Sequence, residues 1–151
     1  MAGADYSASA VTPVFVDIST TGNRSSQAIG DDSTDTLSAI NLAGFTFPFY
    51  GTTYNTLSFS TNALIRFGGA TDEYINGNLS TSPLMAAIAA LWDDLNIDNT
   101  GTGTASRAVF WQMVGTGANQ QLIIQWNNVR RLGESVYFTL QAALSLNGAI
   151  R

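Results

Sequence analysis

The chain has 151 residues, room for one domain with a substantial core, and only 11% of them are charged, with a formal net charge of -5. So sparse and acidic a surface offers polyanions no general attraction, which argues against a nucleic-acid partner. Histidine and cysteine are absent and every basic residue is an arginine, which excludes Ser-His-Asp and Cys-His catalysis, thiolate chemistry, a lysine Schiff base and the usual zinc sites.

Without cysteine there is no disulfide framework, and the redox compartment is unmarked. The longest apolar stretch, around AAIAAL, falls far short of the roughly 20 residues of a membrane-spanning helix, so membrane insertion is not expected. The start shows no basic region followed by an apolar core; a secreted protein lacking its leader reads the same way.

In chain order, residues up to about 10 read as an N-terminal arm. Val11, Phe15, Val16 and Ile18 suggest a first short strand, which Pro13 restricts to an edge or a strand start. STTGNRSSQAIGDDSTDT is a polar loop in which Asp31, Asp32 and Asp35 are expected to be hydrated and to cap nearby amides. Phe45, Phe47 and Phe49 then alternate with Thr46 and Pro48, the two-residue period of a half-buried strand. YNTLSFS and ALIRFG predict two further strands around a turn at Thr61, Asn62 and Ala63, with Leu57 and Phe59 sharing a face. DEYINGNLSTSP is a loop with Asn76 and Gly77 as its turn pair.

The next segment is ambiguous. Ser82 as N-cap and Pro83 at the first helical position open a short helix over residues 83–91, while the strand-rich surroundings fit an extended path into LWDDL. ASRAVFWQMV, QQLIIQWNNV and SVYFTLQAALSL predict three long strands. In the last, Phe138, Leu140, Ala142 and Leu144 share one face and Thr139, Gln141 and Ser145 the other, the division that a two-layer arrangement demands. Asn147 and Gly148 signal a hairpin turn, yet only Ala149, Ile150 and Arg151 follow it, so the C-terminal hairpin reads as incomplete. The expectation is an all-β, two-layer antiparallel β-sandwich of about eight to ten strands in a single domain over residues 1–151. Its core is expected to hold Phe45, Phe47, Phe49, Phe59, Trp92, Trp111, Trp126 and Phe138.

For catalysis a carboxylate pair remains. Asp93 and Asp94 are adjacent and on a strand point to opposite faces, and the two glutamates, Glu73 and Glu134, sit in loops; no enzyme is expected. DDLNIDNTG suits a calcium ion better, since Asp93, Asp94, Asn96, Asp98 and Asn99 supply oxygen donors within one turn-rich segment. Its spacing departs from an EF-hand loop, and capping by the same side chains is the favoured account. The tryptophans and tyrosines raise a glycan-stacking platform, with Tyr74 the best exposed ring; Trp111 and Trp126 alternate with apolar neighbours and read as core. Arg130 and Arg131 are the other candidate contact residues, against the reading of a solvated strand end. NRS at Asn23 and NLS at Asn78 match the glycosylation acceptor pattern.

INLAGFTFPFYGTTYNTLSFSTNALIRFG, SPLMAAIAALWDDL, QLIIQWNNV and VYFTLQAALSLNGAIR together resemble the secreted β-sandwich modules related to the nidogen-type extracellular domain, found in bacterial surface proteins. The resemblance spans roughly residues 14 to 151. It implies an extracellular or cell-surface adhesion or structural role through protein-protein contacts, with no catalytic residues to carry over. It also implies that Asn62 is the asparagine of a Ser-Asn-Gly turn whose glycine is replaced by Ala63, and that Trp92, Asp93 and Asp94 are a tryptophan-acid motif after a proline-led segment that takes an extended path in place of the helix. The rival expectation is a self-assembling subunit of a fibre, appendage or capsid, partnered with copies of itself through edge strands.

Overall fold

In a computed structural model of the chain, the described residues are 6–12, 14–78 and 86–151. They form eleven strands and two single-turn 3-10 helices, with no α-helix among them. One sheet runs β1 (Asn23–Arg24), β9 (Ala108–Val114), β10 (Gln121–Arg131) and β11 (Phe138–Ser145), with β8 (Leu95–Asn96) pairing the far end of β10. The second runs β2 (Thr34–Leu37), β5 (Leu57–Ser60), β6 (Leu64–Phe67) and β7 (Ala87–Ala89), and β3 (Phe47–Phe49) with β4 (Thr52–Tyr54) forms a separate hairpin. All these pairings are antiparallel. The architecture is the expected all-β sandwich, its strand count raised by two-residue pieces that carry no periodic signal.

Alternation explains which side chains meet between the layers. Leu122, Ile124 and Trp126 from β10 and Leu144 from β11 pack with Leu57, Phe59, Ile65 and Phe67 from the second sheet in one buried cluster. Phe47 stacks on Phe67 with ring centroids 5.4 Å apart, and Phe45, Phe47 and Phe49 are all buried. Trp126 is fully buried and its Nε1 donates to the Ser60 carbonyl oxygen at 2.7 Å, a hydrogen bond from one sheet to the other. Trp92 and Phe59 are buried as expected, whereas Trp111 and Phe138 are only partly buried against the cluster.

Local backbone choices follow from the turns. Tyr50 (φ 45°) and Gly51 (φ 81°) are both left-handed, the primed hairpin turn whose twist matches its strands. Ala63 also lies at φ 56°, so the turn that the resemblance associates with glycine keeps a left-handed conformation despite a side chain.

One expectation is corrected and one ambiguity is resolved. The segment expected as a first strand, from Val11 to Ile18, forms no strand over its described residues 11–12 and 14–18. Glutamine side chains bond the end of this segment: Gln141 donates to the Val16 carbonyl at 2.8 Å and accepts from the Val16 N–H at 3.2 Å, and Gln125 accepts from the Ile18 N–H at 3.0 Å. Side chains cannot propagate a ladder, so no strand results. Ile18 is buried with Ala108, Phe110 and Ile123 in a small second core on the outer face of the first sheet. Over 83–91, where a short helix and an extended path were both open, the extended path is the one found: Ala87, Ile88 and Ala89 are a strand paired to β6, because a neighbouring edge was available and the piece is too short for stable helix; residues 83–85 lie outside the described residues.

Phe47→Ala is expected to lower unfolding stability by about 3–5 kcal/mol in urea titration. Trp126→Phe, which keeps a ring but removes the indole donor and leaves the Ser60 carbonyl only its bond from the Ala63 N–H, is expected to cost about 1 kcal/mol in the same measurement.

Candidate functional site

The residue that organises the polar end of the sandwich is Asn62, at the turn between β5 and β6 and fully buried. A buried amide must fill its hydrogen-bonding capacity or lose stability. Its Nδ2 donates to Asp32 Oδ1 at 2.8 Å and to the Asp72 carbonyl at 2.7 Å, and its Oδ1 accepts from the Leu95 N–H at 2.9 Å. One side chain thereby ties three loops together and sets Asp32 beside the residue that precedes Leu95, Asp94. Trp92 works on the same loops: its indole donates to the Glu73 carbonyl at 3.1 Å, and its own carbonyl accepts from Asn76.

Asp31, Asp32 and Asp94 come together there, with carboxylate oxygens all within 4.8 Å of one another. Partial desolvation, with Asp32 and then Asp94 as like-charged neighbours, pushes the Asp31 carboxyl up. Three converging oxygen donors at the surface are a group that can coordinate a hard cation.

Of the five residues singled out for calcium, Asp94 alone stands in this group. Asp93 forms an ion pair with Arg131, Asn96 pairs with Arg130 in the β8–β10 ladder, and Asn99 Oδ1 accepts from Arg24 Nε at 2.8 Å. Asp98 lies in a separate cluster: Oδ2 accepts from Arg107 at 3.0 Å and from the Tyr137 hydroxyl at 3.0 Å, and Oδ1 accepts from Arg130 at 3.2 Å. The Arg107 guanidinium sits 4.0 Å from the centre of the Tyr137 ring, a cation-π contact closing the cluster. Burial pushes the Asp98 carboxyl up, but Tyr137, Arg130 and Arg107 together outweigh it and hold it below the usual carboxylate range. Arg130 and Arg131 are thus engaged at the end of β10, and Tyr74 is an exposed loop ring.

A second concave region borders the arm. A groove of about 600 Å³ is lined by Tyr6, Val11, Phe49, Tyr50, Ile88 and Ile150 among others. Tyr6 donates to the Pro48 carbonyl at 3.1 Å, its ring centre lies 5.0 Å from that of Tyr50, and Tyr50 is 56% exposed.

Asp31, Asp32 and Asn62 carried the weakest signals. The two aspartates looked like ordinary turn formers, and the thirty residues separating Asn62 from Asp32 conceal the contact. The asparagine of the turn was visible, but its role as a three-loop tie was not.

The family model described as NIDO related matches residues 5–150. No curated protein and no solved structure matches the chain.

The pH dependence of stability follows from Asp98 and from Asp17, whose carboxyl hydrogen bonds from Gln125 and Ser19 hold low. Both are depressed in the folded state, so the stability they contribute is present above the unfolded value near 4 and is lost as pH falls through the folded values. Asp98→Asn is expected to cost about 1–2 kcal/mol at pH 7, discounted for partial exposure. The difference from wild type should shrink in unfolding curves taken below about pH 4.

Proposed function

The chain belongs to the NIDO-related family, and from that premise we propose that it is a non-catalytic adhesion-type module of an extracellular or cell-surface protein, working through protein-protein contacts. The observation that carries this reading is the family match over residues 5–150 on a sandwich that buries Phe45, Phe47, Phe49, Phe59, Phe67 and Trp126. What it presents is surface: polar loops tied by Asn62, an aromatic groove at Tyr6 and Tyr50, and a line of exposed apolar residues at Val11, Val14 and Phe15. Loops and edges on a rigid scaffold are the usual places for recognition.

Within this reading, calcium seats on Asp31, Asp32 and Asp94 and neutralises their repulsion, stiffening the loops that Asn62 gathers. Oxygen donors and net negative charge favour a hard cation over a softer one. Binding to the folded state alone raises its stability.

The adhesion reading is tested by coating beads with the purified protein and measuring attachment to surfaces bearing protein, bearing glycan or left bare. Saturable attachment to protein-bearing surfaces is expected; attachment confined to glycan would replace this reading with a carbohydrate-binding one, and none to either would reject it. For the cation, millimolar calcium is expected to raise the melting temperature of the wild type at pH 7 by a few degrees. The shift should vanish in Asp31→Asn/Asp94→Asn, and an equal shift in that variant would remove the site.

A further inference from the structure

When glycine follows asparagine, the asparagine side-chain amide and the next backbone nitrogen can close on each other with no neighbouring side chain in the way. The chain holds two such pairs, Asn76–Gly77 and Asn147–Gly148, and the fold treats them in opposite ways. At the second, the Gly148 N–H donates to the Ser145 carbonyl at 2.9 Å, Asn147 Oδ1 accepts from the Ala149 N–H at 3.1 Å, and Gly148 is buried. Nucleophile and electrophile are both held.

At the first, Asn76 and Gly77 are exposed in irregular backbone, and the Gly77 N–H has no hydrogen-bond partner among the described residues. Water reaches that N–H, and a solvent base can take its proton, which the attack requires. A single tie restrains the side chain: the Asn76 amide donates to the Trp92 carbonyl. One hydrogen bond in a surface loop opens readily by local fluctuation.

We propose that Asn76–Gly77 is a self-modification site, at which the side-chain amide is lost through a succinimide. The Gly77 nitrogen attacks Asn76 Cγ; the new C–N bond closes a ring as the bond from Cγ to Nδ2 breaks, and the proton given up by the Gly77 nitrogen departs with that amide as ammonia. Water, the only co-reactant, then opens the ring at either carbonyl. Hydrolysis at Cγ leaves aspartate at position 76, and hydrolysis at the backbone carbonyl leaves isoaspartate, in which the main chain runs through the side-chain carbon.

The product cannot remake the original contact. An ionised carboxylate has no proton to donate, so it meets the Trp92 carbonyl as acceptor against acceptor. The loop keeps the Trp92 indole bond to the Glu73 carbonyl at 3.1 Å and the Asn62 bond to the Asp72 carbonyl at 2.7 Å, and loses the third tie. It also gains a negative charge in a chain already at -5. Tyr74 and Ile75, 42% and 63% exposed, belong to this loop, so the presented surface changes once and does not revert. The chemistry is independent of what that surface contacts.

The full chain is incubated in mildly alkaline buffer, native and in denaturing urea, and conversion at each asparagine is read by peptide mass spectrometry with isoaspartate resolved. In the native chain, conversion at Asn76 is expected to outrun that at Asn147 by about tenfold or more, because Gly148 must first open locally. In urea the two are expected to convert within about twofold of each other, since the fold no longer distinguishes them. Conversion at Asn76 no faster than at Asn147 in the native chain, or a preference that persists in urea, overturns the proposal. Gly77→Ala, assayed in urea so that folding is not at issue, is expected to slow conversion at Asn76 about tenfold or more, because its methyl obstructs the attack; an unchanged rate overturns the cyclisation. Asn76→Asp is expected to speed hydrogen exchange of the Trp92 indole N–H severalfold, read by NMR on the folded variant. Unchanged exchange there overturns the loosening of the loop.

Discussion

The hydrogen bond from the Trp126 indole to the Ser60 carbonyl is the constraint around which the molecule is organised. Packing of apolar faces alone is tolerant of sliding, since burial is non-directional. A directional bond in the dry interior is not, because a shift of either sheet would leave the buried indole N–H unpaired. The bond fixes the relative position of β10 and β5, and the rings of Phe47, Phe59 and Phe67 then fill the space that position defines.

Ser60 is the last residue of β5, so the same bond holds the start of the turn that carries Asn62. Core and polar end are linked through two residues of backbone. The interior fixes where Asn62 sits; Asn62 fixes where Asp32, Asp72 and Leu95 sit, and the clustered carboxylates of Asp31, Asp32 and Asp94 follow. The like charges are held close by bonds whose energy comes from elsewhere in the fold, an arrangement characteristic of functional loops. Asp98 shows the opposite solution a short distance along the chain, with Arg107, Arg130 and Tyr137 satisfying its charge completely enough that it acts as a clasp.

The outer face of the first sheet is governed by amides rather than rings. Gln125 and Gln141 bond the arm's backbone, with Gln125 also bonding Asp17 and Asn127. This leaves the arm adherent without making it a strand.

Phe45, Phe47, Phe49 and the long strands at β9, β10 and β11 were legible from alternation, because period-two burial is a local property that survives any arrangement of sheets. The turns at Asn62 and at Asn147–Gly148 were legible for the same reason. The first strand was misread because Val11, Phe15 and Val16 have strand chemistry, yet whether a strand forms depends on a free neighbouring backbone, and Gln141 and Gln125 had already taken those amides. The choice between helix and extended path over 83–91 stayed open because capping residues announce where a helix would start, while the edge of β6 decided what Ala87, Ile88 and Ala89 would pair with. The calcium reading grouped Asp93 through Asn99 by proximity in sequence; in space Asp94 joins Asp31 and Asp32, and Asp93 and Asp98 go to arginines. Sequence alone therefore determined the class of fold, the inward rings and the absence of histidine, cysteine and lysine chemistry, since each depends on residue identity and short-range periodicity. Tertiary structure alone decided which acids meet and which amides hold the arm, since each depends on residues brought together from far along the chain.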